Sequence, residues 1–428
     1  MNHNIKKKGR MVYSVMSTSY KDKMDERNVR KVSDILNEKL WIARPLKTIR
    51  EEYDQIRLNM VTDDIGKKSL FGGVVTSLIL ATMLCIRNDW TLRIITRWTE
   101  CDLSDYYDFL KMYGLDAPQR VEAYSDERRN GTSINYKLPI SDKDVFLATS
   151  WWSAKSIFES NVANKIMYIL QEEETFFYPY SDDRLWCEQM MQNERIDYIV
   201  NSKLLFDYLC NNGYDILVKN AMYFEPAFSE SLYHPNENTF QEKRDQKRKL
   251  FFYGRPMNPR NLYYFGLECL DEALSRGIID VDLWDIYLAG YNVESICFSN
   301  GYIPKMNGVM PWNAYSEFAR TVDLSFSLMY TPHPSYPPLD MLCSGAVVLT
   351  NEFKNKKDLT YSENMILVKL DKEEILKGME NAISLAENMK LREENYNRNN
   401  INRDWGESFK NIIPILEERI KEGKYVSY

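Results

Sequence analysis

Two arginines, Arg255 and Arg260, follow the apolar run Leu250 to Tyr253 through the turn Gly254-Arg255-Pro256. Guanidinium groups near the start of a helix suit a diphosphate, because each can form paired, charge-assisted hydrogen bonds with phosphate oxygens. A second group, His333, Ser335, Tyr336, Pro337 and Asp340, lies between two apolar runs in the stretch Val322 to Asn351. Free N–H groups at a helix start in that stretch would suit a phosphate as well. The third is Gln171, Glu172, Glu173 and Glu174, a run that on its own reads as a solvated turn but is followed by Phe176, Phe177, Tyr178 and Tyr180. Trp151 and Trp152 are able to stack on sugar faces or to fill the core.

These residues need elements to hold them. Leu324 to Met329 reads as a strand, the prolines 332, 334, 337 and 338 forbid its continuation, Asp340 to Cys343 begins a helix that Gly345 closes, and Ala346 to Leu349 is the next strand. That is a βαβ crossover, whose loop at the first strand's carboxyl end is where open α/β sheets bind ligands. Ile56 to Val61 and Leu92 to Thr96 bracket a comparable unit, with Gly72 and Gly73 opening the apolar helix between them. Glycines there allow close approach of a ligand or serve only a turn. Strands at Val145 to Ala148, Lys165 to Leu170 and Tyr198 to Asn201 alternate with helices at Leu103 to Tyr113, Ala154 to Glu159 and Leu185 to Gln192. A second series runs through Leu250 to Tyr253, a helix from Leu262 to Ser275, Asp285 to Ala289 and a helix from Ser316 to Thr321. Alternation of this kind predicts mostly parallel, doubly wound sheets. The chain ends in helices at Lys372 to Lys390 and Trp405 to Glu422.

The 428 residues fit two domains of roughly 200 residues each. The expected division is 1–50 as a helical arm, 51–240 and 241–404 as the two α/β domains, and 405–428 as a C-terminal helix packing back on the first. In the arm, Val29, Val32, Leu36 and Leu40 follow helical spacing over about four turns and would cover either their own domain or a second subunit, making a homodimer. A composition with 44% hydrophobic and 27% charged residues is that of a globular protein, and a net charge of −7 argues against nucleic acid as main partner. Lys6, Lys7, Lys8 and Arg10 form a small basic cluster suited to anionic lipid or solvent. Val74 to Ile86 is too short to span a bilayer, and no secretory leader pattern opens the chain. Seven scattered cysteines without CxxC spacing read as reduced thiols, so a cytoplasmic location is expected, with peripheral contact at the membrane's inner face as a further reading. His3, His234 and His333 are the whole histidine complement, too few for a His-rich metal site. Asp280-Val281-Asp282 precedes its strand and reads as a solvated loop rather than a metal-binding Asp-x-Asp.

Together, the Gly254-Arg255 turn, Arg260 and the HPSYPPLD crossover resemble the second domain of GT-B glycosyltransferases of the retaining, nucleotide-sugar-dependent family 4. The resemblance implies two Rossmann-like domains facing each other across a cleft. It gives Arg255 and Arg260 the donor diphosphate, Asp340 the ribose, and Met306, Asn307 and Gly308 the nucleobase. The family's first motif glutamate falls on Pro332, and its frequent histidine in the first domain on Gln171, so Gln171 and Glu172 are candidate catalytic neighbours of the sugar. Gly72, Gly73, Trp151, Trp152 and Glu173 would face the acceptor. The phrases ATSWWSA (148–154), YILQEEETFFYP (168–179), YGRPMNPRNL (253–262) and HPSYPPLD (333–340) resemble the subgroup of rhamnosyltransferases of bacterial surface (S-layer) glycan assembly. That implies dTDP-β-L-rhamnose as donor, a rhamnan or lipid-linked glycan as acceptor, no cofactor and no metal. Weighed against it are another nucleotide-sugar donor, a non-catalytic glycan-binding or scaffold protein, and an NAD-dependent oxidoreductase. Against the last, neither GGVVTS nor GRPMNP completes a GxGxxG.

Overall fold

The computed structural model describes residues 29–67, 69–70, 72–126, 137–243 and 246–425. The chain divides into two compact units between Arg44 and Pro45. In the first, Val32–Lys39 is an α-helix and Trp41–Ala43 a single 3-10 turn. Within this unit Arg30 pairs with Glu38. The described helix is eight residues long, and the basic cluster Lys6, Lys7, Lys8 and Arg10 lies outside the described residues.

Among its described residues the second unit contains two large parallel sheets and one small two-stranded one. Its strands are β1 (Thr48–Arg50), β2 (Arg57–Thr62), β3 (Thr91–Thr96), β4 (Val121–Ser125), β5 (Leu138–Ile140), β6 (Asp144–Ala148), β7 (Ile166–Leu170), β8 (Ile196–Asn201) and β9 (Ala221–Phe224), followed by β10 (Arg248–Tyr253), β11 (Trp284–Ala289), β12 (Lys305–Gly308), β13 (Leu324–Phe326), β14 (Val347–Asn351) and β15 (Met365–Val368). The first sheet has the order β4-β3-β2-β6-β7-β8-β9 and the second β12-β11-β10-β13-β14-β15, while β1 pairs with β5. Strands β2, β3, β6, β7 and β8 are buried along their whole length, because helices cover both faces of a doubly wound sheet. The strand order reverses between β2 and β6 and again between β10 and β13, and such reversals open a crevice at the carboxyl edge.

Charge is also buried at the opposite edge of the first sheet. Arg57 donates to both carboxylate oxygens of Asp144, at 2.7 and 2.8 Å, and Asn59 donates to one of them at 2.7 Å. Although burial disfavours the carboxylate, these bonds and the Ser141 amide hold Asp144 below the usual range.

Chain ends and element limits follow local chemistry. Helices Trp405–Phe409 and Ile412–Lys421 bury Trp405, Phe409 and Leu416 in the core formed by Leu58, Leu84 and Ile199, so the chain returns to the first domain. The crossover helix runs over Tyr336–Cys343 and thus starts earlier than Asp340, with Pro337 and Pro338 in its first turn, where a missing N–H costs no helical bond. The helix expected over Lys372 to Lys390 is two, Lys372–Glu387 and Met389–Asn397, broken at Asn388, whose side chain caps the second. Met306, Asn307 and Gly308 belong to the edge strand β12 rather than to a turn alone. No helix among the described residues is long and apolar enough to cross a membrane.

Candidate functional site

The carboxyl ends of β2, β6 and β7 and those of β10, β11, β12 and β13 open into one cavity of about 630 Å³. From the first domain it is lined by Gly72, Gly73, Trp152, Gln171 and Glu172, and from the second by Arg255, Arg260, Gly308, His333, Ser335, Tyr336, Pro337 and Asp340. Glu174 of the run 171–174 lines it too, as do Asp63, Tyr113, Tyr233 and Tyr315, which the sequence pattern does not single out. Asp63 stands directly after β2 in a doubly wound pattern, which was a usable signal; the tyrosines arrive from distant helices and loops and carried none.

Five selected residues are outside the cavity lining, for identifiable reasons. Trp151 is 1% exposed and fills the core, its indole N–H donating to the Tyr178 hydroxyl at 2.9 Å. Glu173 is turned inward, accepting from Thr175 and, at 2.8 Å, from the Tyr214 hydroxyl. Gly254 leaves no room for a side chain: a Cβ there would lie 2.9 Å from the Tyr263 ring and 3.0 Å from Val293. Met306 packs on the second domain's core, and Asn307 points its amide at Met310 Sδ, 3.9 Å away. Gly308, Val309 and Met310 are the parts of this segment that reach the cavity.

The two arginines differ. Arg255 is exposed and has no ion pair among the described residues. Arg260 is ion-paired with Glu172 across the cleft, and its guanidinium lies 4.3 Å from the Phe177 ring centre. Glu172 also accepts a bond from the Thr331 hydroxyl and one from the Glu173 amide at 3.0 Å. Behind them Lys356, 1% exposed, donates to the Met329 carbonyl at 3.2 Å. Burial pushes its ammonium down to about 7 against the attraction of Glu172. Arg260 is therefore not a bare anion anchor: an arriving phosphate has to share it with Glu172. Glu174, buried and accepting from the Trp151 amide at 3.0 Å, is raised to about 7 by desolvation.

Helix Tyr336–Cys343 offers less to an anion than its position suggests. Pro337 and Pro338 have no N–H, and the Ser335 amide is spent on His333 Nδ1, at 2.9 Å. Ser335 itself adopts φ 72, a conformation that non-glycine residues seldom take. The Tyr336 hydroxyl meets Thr76 at 2.6 Å and the Asn201 amide at 2.7 Å, joining the two domains. Gly72 makes that possible: with φ +29, a Cβ there would lie 3.0 Å from the Tyr336 ring. Gly72 thus serves packing across the cleft, whereas the Gly73 carbonyl accepts from Gln171 within the first domain. Trp152 faces the cavity with its indole N–H held by Asp63 Oδ2 at 2.9 Å. Asp340 is buried, with the Tyr315 hydroxyl donating to it at 3.3 Å, and desolvation holds its carboxyl well above the usual range. A ribose at Asp340 would therefore meet a carboxyl group whose ionised form burial disfavours.

Two parallel α/β domains with their strand ends turned toward one cavity are the GT-B glycosyltransferase architecture, and solved structures similar to this chain share it. Sucrose-phosphate synthase from Thermosynechococcus elongatus superposes with a TM-score of 0.54 at 10% identity, covering 86% of this chain and 99% of that one. Anabaena HepE in complex with UDP and glucose gives 0.54 at 12% identity, covering 86% and 98%. A variant of TarM from S. aureus, in complex with Fondaparinux, alpha-GlcNAc-glycerol and UDP, gives 0.55 at 10% identity, covering 86% and 99%. Likeness at such identities is one of fold.

The sequence narrows the class. Residues 57–203 match the family model of the WsaF N-terminal domain and residues 248–380 that of the WsaF C-terminal domain, and the chain belongs to the WsaF family. It is also similar to the O-antigen biosynthesis protein RfbC of Myxococcus xanthus, at 28% identity over 243 residues, which is 56% of this chain and 18% of that protein's length.

Proposed function

We propose that the protein is a rhamnosyltransferase that moves L-rhamnose from dTDP-β-L-rhamnose to a growing rhamnan chain of a bacterial surface (S-layer) glycan, with retention of configuration. The observation that carries this reading is the single cavity in which Arg255 and Arg260 of one domain face Trp152, Asp63 and Glu174 of the other. Membership of the WsaF family, the likeness to an O-antigen biosynthesis protein and the UDP and glucose of the HepE complex support it. The second domain would hold the nucleotide and the first the acceptor sugar, stacked on Trp152.

The costly step of glycosyl transfer is departure of the nucleoside diphosphate as positive charge develops on the sugar, and fixed cationic groups at the leaving oxygens lower that barrier. In this reading Arg255 supplies such charge directly, and Arg260 does so once phosphate competes with Glu172 for it. With two guanidinium groups available, we infer that no divalent metal is required. Peripheral membrane contact would bring a lipid-linked acceptor within reach.

Transfer of labelled rhamnose from dTDP-rhamnose to a rhamnose-terminated acceptor, in excess EDTA, tests the proposal. Loss of transfer rescued by manganese would end the metal-free mechanism. Transfer of glucose from UDP-glucose in preference to rhamnose would end the donor assignment. A glycan-binding protein without activity would show neither transfer nor donor hydrolysis.

A further inference from the structure

His333 has one ring nitrogen accounted for and one that is not. It is 4% exposed and lines the cavity. Nδ1 lies 2.9 Å from the Ser335 amide nitrogen. A backbone N–H can only donate, so Nδ1 must carry the lone pair and the proton of the neutral ring sits on Nε2. Nε2 has no hydrogen-bond partner among the described residues. Burial, reinforced by Arg260 and Lys356, holds the imidazole down at about 3, so the ring stays neutral. A buried donor left unmet carries its full desolvation penalty, which a ligand that accepts from it would remove.

The neighbouring groups indicate what kind of oxygen the donor awaits. Thr331 links the His333 backbone to Glu172, which lines the same cavity: its hydroxyl donates to the Glu172 carboxylate and accepts from the His333 backbone N–H at 3.3 Å. One wall therefore carries an N–H donor, Nε2 of His333, and a carboxylate acceptor, Glu172. A hydroxyl group both accepts and donates and matches that pair. A phosphate oxygen only accepts, and so matches the N–H donor but not the carboxylate.

We propose that His333, locked as the Nε2–H tautomer by the Ser335 amide, donates to a hydroxyl oxygen of the sugar being transferred and so reads the donor's sugar rather than its nucleotide. This rests on the reading of the cavity as a nucleotide-sugar site. It does not depend on which nucleotide is used.

The test compares the binding of a nucleoside diphosphate with that of its sugar conjugate, in the full chain and in two variants. His333→Asn keeps an acceptor for the Ser335 amide but is too short to place a donor where Nε2 lies. His333→Gln places an amide donor at about that reach. Calorimetry with dTDP and dTDP-rhamnose should show dTDP affinity within about twofold of the original in His333→Asn, and a loss of about tenfold for dTDP-rhamnose. His333→Gln should recover part of that loss. Equal loss for both ligands would make the contact a phosphate one, and no loss for either would make the ring mere packing; each overturns the proposal. If the unaltered protein prefers UDP and UDP-glucose, the donor reading falls, and the same ratio measured with that pair decides the role of His333. Nitrogen NMR of the ligand-free protein supplies an independent check: a proton on Nδ1 would overturn the tautomer assignment, and failure of the unaltered protein to bind either pair would remove the site itself.

Discussion

Alanine at Arg255 and alanine at Arg260 should have opposite consequences, because one guanidinium is free at the cavity wall and the other is paired. The Arg260 and Glu172 side chains are 13% and 7% exposed. Removing Arg260 leaves a buried carboxylate without its cation, and breaking one side of such a pair costs ~3–5 kcal/mol. The second unit spans 45–428, and for roughly 380 residues the unfolding entropy is about 0.8 kcal/mol/K, so the melting temperature should fall by ~4–6 °C. The double variant Arg260→Ala with Glu172→Gln should regain most of that loss, since the stranded charge is gone. Arg255 makes no ion pair among the described residues, so Arg255→Ala should leave the melting temperature within about 1 °C, in keeping with the small worth of exposed charges. Its effect belongs to the ligand. Charge-assisted bonds to phosphate worth ~1.5–3 kcal/mol correspond to a roughly 10- to 150-fold weaker Kd for dTDP. Contacts that tighten as the diphosphate leaves should place part of the loss in kcat. Arg255→Lys should rescue only part, because an ammonium keeps the charge but not the planar fork. Differential scanning fluorimetry and calorimetry read the two effects separately. An Arg260→Ala protein that melts normally, or an Arg255→Ala protein that melts early with dTDP affinity intact, would refute this division of labour.

Further outcomes are open to simple assays. Millimolar dTDP should raise the melting temperature by mass action and NAD should not; a larger shift with NAD would contradict the nucleotide assignment. Asp340→Asn, which removes an ionisation that burial already disfavours, should bind dTDP within a few-fold of the original protein. Asp340→Ala should weaken dTDP and dTDP-rhamnose about equally, and a loss confined to the sugar nucleotide would remove the ribose role. Glu174 is raised to about 7 in the folded chain, so the unfolded chain releases this proton first and the residue's contribution to stability declines as pH rises from about 4.5 to 7. Glu174→Gln should therefore match the original below pH 4.5 and exceed it by roughly 3 kcal/mol above pH 7 in denaturant melts. Identical pH profiles would show that this carboxyl is not desolvated.

Alternation of apolar runs and helical spacings, together with the glycines and prolines between them, was enough to read two doubly wound domains. Those signals are local: a strand such as β7 is apolar because its neighbours cover both faces, whatever those neighbours are. Arg255, His333 and Asp340 were legible because the carboxyl end of a parallel strand is where such sheets hold ligands. Their company and charge states were not. Glu172 meets Arg260 and Thr331, and Tyr336 meets Thr76 and Asn201, only after two domains dock, and no periodicity in the chain records pairings over that separation. Trp151 and Trp152 are adjacent in sequence, yet the helix turns one into the core and the other to the cavity; Glu173 and Glu174 divide likewise. Whether Asp340 and Glu174 carry a proton, and which nitrogen of His333 does, depends on burial and on a single backbone amide. Tertiary structure decided these because ionisation responds to dielectric and to partners within a few ångströms, which are quantities of the folded molecule and not of its sequence neighbours.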